Sequence, residues 1–128
     1  MFNFQKLEVW PLSIGFADLV YQATDDFPAH GLYGLTSQLQ RASVSISSNI
    51  AEGSGRCSNK EFQRFIGISN GSLMECVLQL EICRRRNYVT LVVYRDLNAL
   101  GERISRMLSR LRESLYRPDE QQRINDEG

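Results

Sequence analysis

Four polar residues, Gln38, Ser45, Asn49 and Glu52, recur on one face of a helix-patterned segment, beside the apolar positions Leu35, Leu39, Ala42, Ile46 and Ile50. A carboxylate in such a stripe is the group type that serves as a general base, and with Asn49 it could serve an RNA-processing nuclease. Base chemistry needs a nucleophile or a metal at hand, and none is spaced to meet Glu52. The same stripe also suits two simpler roles. One is a hydrogen-bonded network that fixes helix register and caps the turn at Gly53, since buried polar groups must be paired. The other is a subunit interface.

Histidine and cysteine are sparse. The chain has one histidine, His30, in the turn Pro28-Ala29-His30-Gly31. A single histidine excludes multi-histidine metal sites, including the paired Glu-x-x-His motifs of di-iron bundles. The three cysteines are Cys57, Cys76 and Cys83. On one helix, Cys76 and Cys83 would stand about 10 Å apart along the axis, too far to bridge. They read as small core residues, and Cys57 lies in a polar stretch. No disulfide framework, metal site, phosphate loop or cofactor is expected, and the protein is expected not to be an enzyme.

The arginines are the second candidate. Of the 15 bases, 13 are Arg, a residue that suits phosphate recognition as well as structural ion pairs. Arg84, Arg85 and Arg86 end a helix-patterned segment, where cations complement the helix dipole. Arg103, Arg106, Arg110 and Arg117 fall on one stripe of the next segment. Net charge is zero, yet residues 1–58 carry −2, 59–88 carry +2, 89–117 carry +3 and the tail carries −3. A solvated helix face, contact with RNA or DNA, and ion pairs to a protein partner are the three readings of this pattern. The neutral balance argues against a strongly basic nucleic-acid clamp.

These groups must be positioned by helices. At 128 residues and 14.7 kDa the chain is sized for one domain. Its core is expected over about residues 7–117, with an acidic tail over 118–128. Apolar residues recur at helical spacing over about Glu8–Thr24, Leu32–Glu52, Asn59–Arg86 and Leu91–Tyr116. Pro11 fits only the first turn of the first segment. Gly53 and Gly55 stop the second segment, where glycine would supply a left-handed cap. Ser58 and Glu61 form a capping-box pattern ahead of the third. The small residues Ala42, Ser43, Ser45, Ser47 and Ser48 suit close approach of a neighbouring helix. Gly67 and Gly71 imply either tight backbone contact or a bend. Residues 88–94 have strand propensity, but an isolated strand has nothing to pair with, so they read as a turn into the last helix. Short connections then give an all-α, antiparallel up-and-down four-helix bundle. No run approaches the 18 apolar residues of a membrane span. The N-terminus lacks a signal-peptide pattern, so a cytoplasmic location is expected.

One long ordered motif adds to this reading. Tyr33-Gly34-Leu35-Thr36-Ser37-Gln38-Leu39-Gln40-Arg41-Ala42 leads into Ser45-Ile46-Ser47-Ser48-Asn49-Ile50-Ala51-Glu52-Gly53. Gly71-Ser72-Leu73-Met74-Glu75 and Gln79-Leu80-Glu81-Ile82 follow. Over roughly residues 4–116 the chain resembles the bacterial four-helix-bundle family known as 23S rRNA intervening-sequence proteins. The resemblance implies a bundle that assembles as a ring, commonly a homopentamer. It also implies kinship with the accessory variability proteins of diversity-generating retroelements, which bind nucleic acid and a reverse transcriptase. Three departures stand out. Ser47 replaces a frequent family Pro, Arg86-Asn87-Tyr88 replaces a Leu-Gly-Tyr turn, and the chain is neutral where the retroelement relatives are basic. Asn87 can take the left-handed cap conformation, so the fold is expected to hold. The functional expectation is a non-enzymatic oligomer that associates with nucleic acid or a nucleic-acid enzyme. The alternative is a protein–protein scaffold without nucleic-acid binding.

Overall fold

The computed structural model describes residues 1–27 and 33–116. His30, Arg117 and the acidic tail lie outside them. A short 3-10 turn, Asn3–Lys6, precedes four helices: α1 (Val9–Asp25), α2 (Tyr33–Ser54), α3 (Asn59–Arg85) and α4 (Leu91–Ser114). No strand occurs among the described residues, and residues 91–94 open α4 as helix.

Side-chain chemistry sets the helix ends. Pro11 sits in the first turn of α1, where its missing N–H costs nothing. The Ser58 hydroxyl accepts the Glu61 N–H at 3.1 Å, which caps α3. Only this half of the capping box forms, because the Glu61 carboxylate turns to Arg64 at 3.4 Å. Thr90 caps α4 by accepting the Val93 N–H at 3.2 Å. The C-terminus of α3 closes on Asn87, at φ 61°. The Asn87 N–H bonds the Arg84 carbonyl at 3.0 Å and the Tyr88 N–H bonds the Cys83 carbonyl at 2.9 Å. That pairing is the Schellman motif, with asparagine where glycine is usual.

The expected glycine cap of α2 is not formed. Neither Gly53 nor Gly55 has a left-handed φ, and the helix runs through Gly53 to Ser54. Gly53 has a packing role instead. A Cβ there would lie 2.6 Å from the Phe65 Cβ and 2.9 Å from Phe62 Cδ1.

Cross-helix contacts fix the directions. Between α3 and α4, Gln63 meets Arg112, Asn70 meets Ser105 and Glu81 meets Tyr94, so residue number rises on one helix as it falls on the other. Between α2 and α3, Gly53 meets Phe65, Ser45 meets Ser72, and Ser69 donates to the Ile46 carbonyl. Val9 and Leu7 share a cleft with Met107 and Leu111, so α1 and α4 are antiparallel too. Gln40 meets Thr24 and closes the circuit between α1 and α2. Consecutive helices pack on each other, α1 packs on α4, and the backbones of α1 and α3 stay apart across the core. This is the up-and-down bundle.

Phe16, Val20, Leu39, Ile46, Ile50, Ile66, Leu73, Leu80, Leu97, Ile104 and Leu108 fill the centre, with Cys76 and Cys83 among them. Burying one such Leu or Phe contributes about 1.5–3 kcal/mol. The small residues of α2 do admit α3 closely, through Ser45–Ser72 and the Ser69 bond to a main-chain carbonyl. Gly67 and Gly71 do not make that contact: a Cβ at Gly67 would lie 3.7 Å from the Arg112 guanidinium, and one at Gly71 would meet open space. The buried glycine at a three-helix contact is Gly101, against Leu73 and Phe16.

Candidate functional site

The structure divides the arginines into two kinds. Arg84 is held. Its Nε and Nη2 donate to the two Glu81 carboxylate oxygens at 3.0 and 2.6 Å. Its guanidinium also lies 5.5 Å from the Tyr94 ring centre. Arg85 Nε donates to the same carboxylate at 3.0 Å, and the Tyr94 phenol donates to it at 2.9 Å. Arg84, then Arg85 and Tyr94, hold the Glu81 carboxyl down at about 2. The carboxylate in turn raises the Tyr94 pKa. A phosphate at Arg84 would have to displace a bidentate carboxylate. Arg86 is exposed at the helix cap.

Arg103, Arg106 and Arg110 are exposed on α4, with no ion pair to any of them among the described residues. Seven residues of helix place Arg103 and Arg110 about 10 Å apart along the axis. Arg110 borders a cleft of about 290 Å³ with Lys6, Leu7, Glu8, Val9, Met107 and Leu111. Arg112 points to the α3 side, over Gly67. Sequence reasoning missed the neighbouring cations Arg56 and Arg64, which lie 4.8 and 5.5 Å from the Phe65 ring centre. These two come from the turn between α2 and α3 and from the start of α3. They share the bundle end with the last turns of α4, and only the tertiary fold brings them there.

The polar stripe of α2 comes apart in a similar way. The Asn49 carboxamide donates to the Ser45 carbonyl at 2.8 Å and to its hydroxyl at 2.9 Å. Ser45 meets Ser72 at 2.9 Å. Asn49 and Ser45 thus form a seam between α2 and α3. Gln38 and Glu52 are exposed and stand outside this seam. The Glu52 main-chain carbonyl, not its carboxylate, closes the turn after Gly53, by accepting the Gly55 N–H. Gln38 and Ser45 line an open groove with Arg41, Ala42, Glu75 and Gln79.

Cys76 and Cys83 are buried and unbridged, and burial pushes their thiols up to about 12 and about 11. Thiols so raised are poor nucleophiles. Among the described residues no three His, Cys, Asp or Glu side chains group as a metal site, and no helix is long and apolar enough to cross a membrane.

Comparison with known proteins bears on this arrangement. No curated protein matches the chain. A crystal structure of a protein of unknown function from the S23 ribosomal protein family of Bacteroides thetaiotaomicron VPI-5482 is similar, with a TM-score of 0.74. It is 23% identical over 81% of this chain and 97% of that one, a likeness that establishes the shared fold. The family model described as 23S rRNA-intervening sequence protein matches residues 5–110. With that match spanning all but the last turn of the bundle, the chain belongs to the 23S rRNA-intervening sequence protein family.

Proposed function

We propose that the protein is a non-enzymatic, homo-oligomeric accessory factor that associates with nucleic acid through the exposed arginines of α4. One observation carries the reading: Arg103, Arg106 and Arg110 lie on a single helix face with no carboxylate partner among the described residues. Guanidinium groups so presented suit phosphate oxygens. In a ring the face would repeat in every subunit, and weak phosphate contacts would add by multivalency. The ring, commonly a pentamer, and a nucleic-acid enzyme such as a reverse transcriptase as a further partner follow from the family resemblance. Arg84 and Arg85 contribute less, because Glu81 already occupies them.

The net charge of zero favours a second reading, a protein–protein scaffold whose α4 arginines meet a partner's acids. A gel-shift series with RNA and DNA at low and moderate salt separates the two. A shift that weakens steeply with salt supports the first, because each neutralised phosphate releases a counterion. No shift with either nucleic acid leaves the scaffold.

A further inference from the structure

Ile68, Met74, Leu78 and Ile82 are 42, 46, 62 and 42% exposed on α3. The opposite face of the same helix supplies Ile66, Ser69, Leu73, Cys76, Leu80 and Cys83 to the core. The outward positions 68, 71, 75, 78 and 82 alternate steps of three and four, the spacing of a coiled-coil seam. Gly71 opens a hollow in that seam, since nothing lies within 4 Å of where its Cβ would stand. Three of these five positions are apolar, Ile68, Leu78 and Ile82, with Gly71 and Glu75 between them and Met74 beside the row. Apolar groups left in water by a bundle whose core is already full mark an interaction surface.

We propose that this α3 face is the assembly surface of the chain, and that its occupant is the α1 face of a second copy. On α1, Ile14 and Tyr21 are 42 and 44% exposed, within the same three–four spacing at positions 14, 18, 21 and 25. Asp18 and Asp25 occupy the other two positions of that row, and Asp26 follows at its end. The α3 face ends in Arg85 and Arg86, and Arg85 stays 74% exposed while it shares Glu81. The signs are complementary.

The levels match as well. Both α1 and α3 run antiparallel to α2 and α4, so they are parallel to each other. Phe16 and Leu73 stand at one level, because both meet the Gly101 position. Counting from that pair puts Ile14 level with Gly71, and Tyr21 level with Leu78. Asp25 and Asp26 come within one turn of Arg85 and Arg86. Two levels are mismatched: Asp18 is level with Glu75, a like-charge pair, and Asp25 is level with Ile82, a charge beside an apolar group, and both work against the contact. Because α1 and α3 sit diagonally in the bundle, the two surfaces of one copy are different. Their contact is heterologous, which closes into a ring only where each copy is rotated against the last and otherwise runs on as an open filament.

This assignment rests on the oligomeric reading above, and the test separates the two. Light scattering after size exclusion, on the full chain at micromolar concentrations, should give a multiple of 14.7 kDa. Leu78→Glu and Tyr21→Glu should each reduce the mass, with the helical circular dichroism spectrum retained. Mixed together, these two variants should pair into dimers, since each brings one intact surface. Asp18→Asn should tighten assembly, and Asp26→Arg should restore an assembly weakened by Arg86→Glu. A monomeric wild type overturns both the assignment and the oligomeric reading. A wild-type oligomer that survives folded Leu78→Glu overturns the α3 surface alone. Failure of the two variants to pair, or of the charge swap to rescue, overturns α1 as the occupant.

Discussion

The Tyr94 phenol donates to the Glu81 carboxylate at 2.9 Å and fastens the start of α4 to the end of α3. The same carboxylate holds Arg84 and Arg85, so one acidic side chain organises the groups around the α3–α4 turn. Its acidity follows: the carboxyl is held at about 2, below its ordinary 4.5. A lowered folded-state pKa stabilises the protein above the ordinary value, and that contribution disappears as pH falls from about 4.5 through about 2. Glu81→Gln should lower the thermal midpoint by a few degrees at neutral pH and flatten its decline across that acid window. Thermal melts of wild type and variant between pH 2 and 7 check this.

Gly53 and Gly15 should respond to alanine with opposite signs. A Cβ at Gly53 meets the Phe65 Cβ at 2.6 Å, an atom that no rotamer change can move aside. Gly53→Ala should destabilise by about 1–3 kcal/mol, as overpacking does. Gly15 lies inside α1 with nothing within 4 Å. Gly15→Ala should stabilise by about 1 kcal/mol through helix propensity. Urea unfolding monitored by circular dichroism measures both.

Gly53 also shows where a sequence stops being legible. The pattern Gly53-x-Gly55 after an apolar run signals the end of a helix, and α2 does end there. What the pattern could not signal is that Gly53 faces Phe62 and Phe65 of α3, which depends on how two helices rotate about their axes. Gly67 and Gly71 fail for the same reason, since the spacing of two glycines does not say which face they occupy. Helix count, boundaries and the Ser58 cap were legible because period and capping are local. The Arg84–Arg86 cluster was half legible. Glu81 stands three and four residues before Arg84 and Arg85, the spacing of helical ion pairs. Tyr94 joins them only through the turn.

Asn87 should behave as a strained position. At φ 61° it occupies the left-handed region that costs an ordinary L-residue roughly 1–2 kcal/mol. Asn87→Gly should be neutral or slightly stabilising, and Asn87→Ala should cost about 1 kcal/mol. Both keep the main-chain Schellman bonds, so equilibrium unfolding isolates the backbone effect.

The two kinds of arginine should separate in one experiment. Arg84 is fixed by Glu81 and stacked on Tyr94, so Arg84→Gln should lower thermal stability and leave binding of RNA or DNA nearly unchanged. Arg106 and Arg110 are exposed and unpaired among the described residues, so Arg106→Glu with Arg110→Glu should leave stability nearly unchanged and weaken binding. The weakening should be similar for all sequences, because phosphate contacts carry no base information. For every arginine–phosphate pair removed, the slope of log affinity against log salt should fall by about 1. Fluorescence anisotropy with one labelled RNA and one labelled DNA, over a salt series, reads both quantities. If Arg84→Gln abolished binding while the α4 pair did not, the interface would belong to the α3–α4 turn and not to the α4 face.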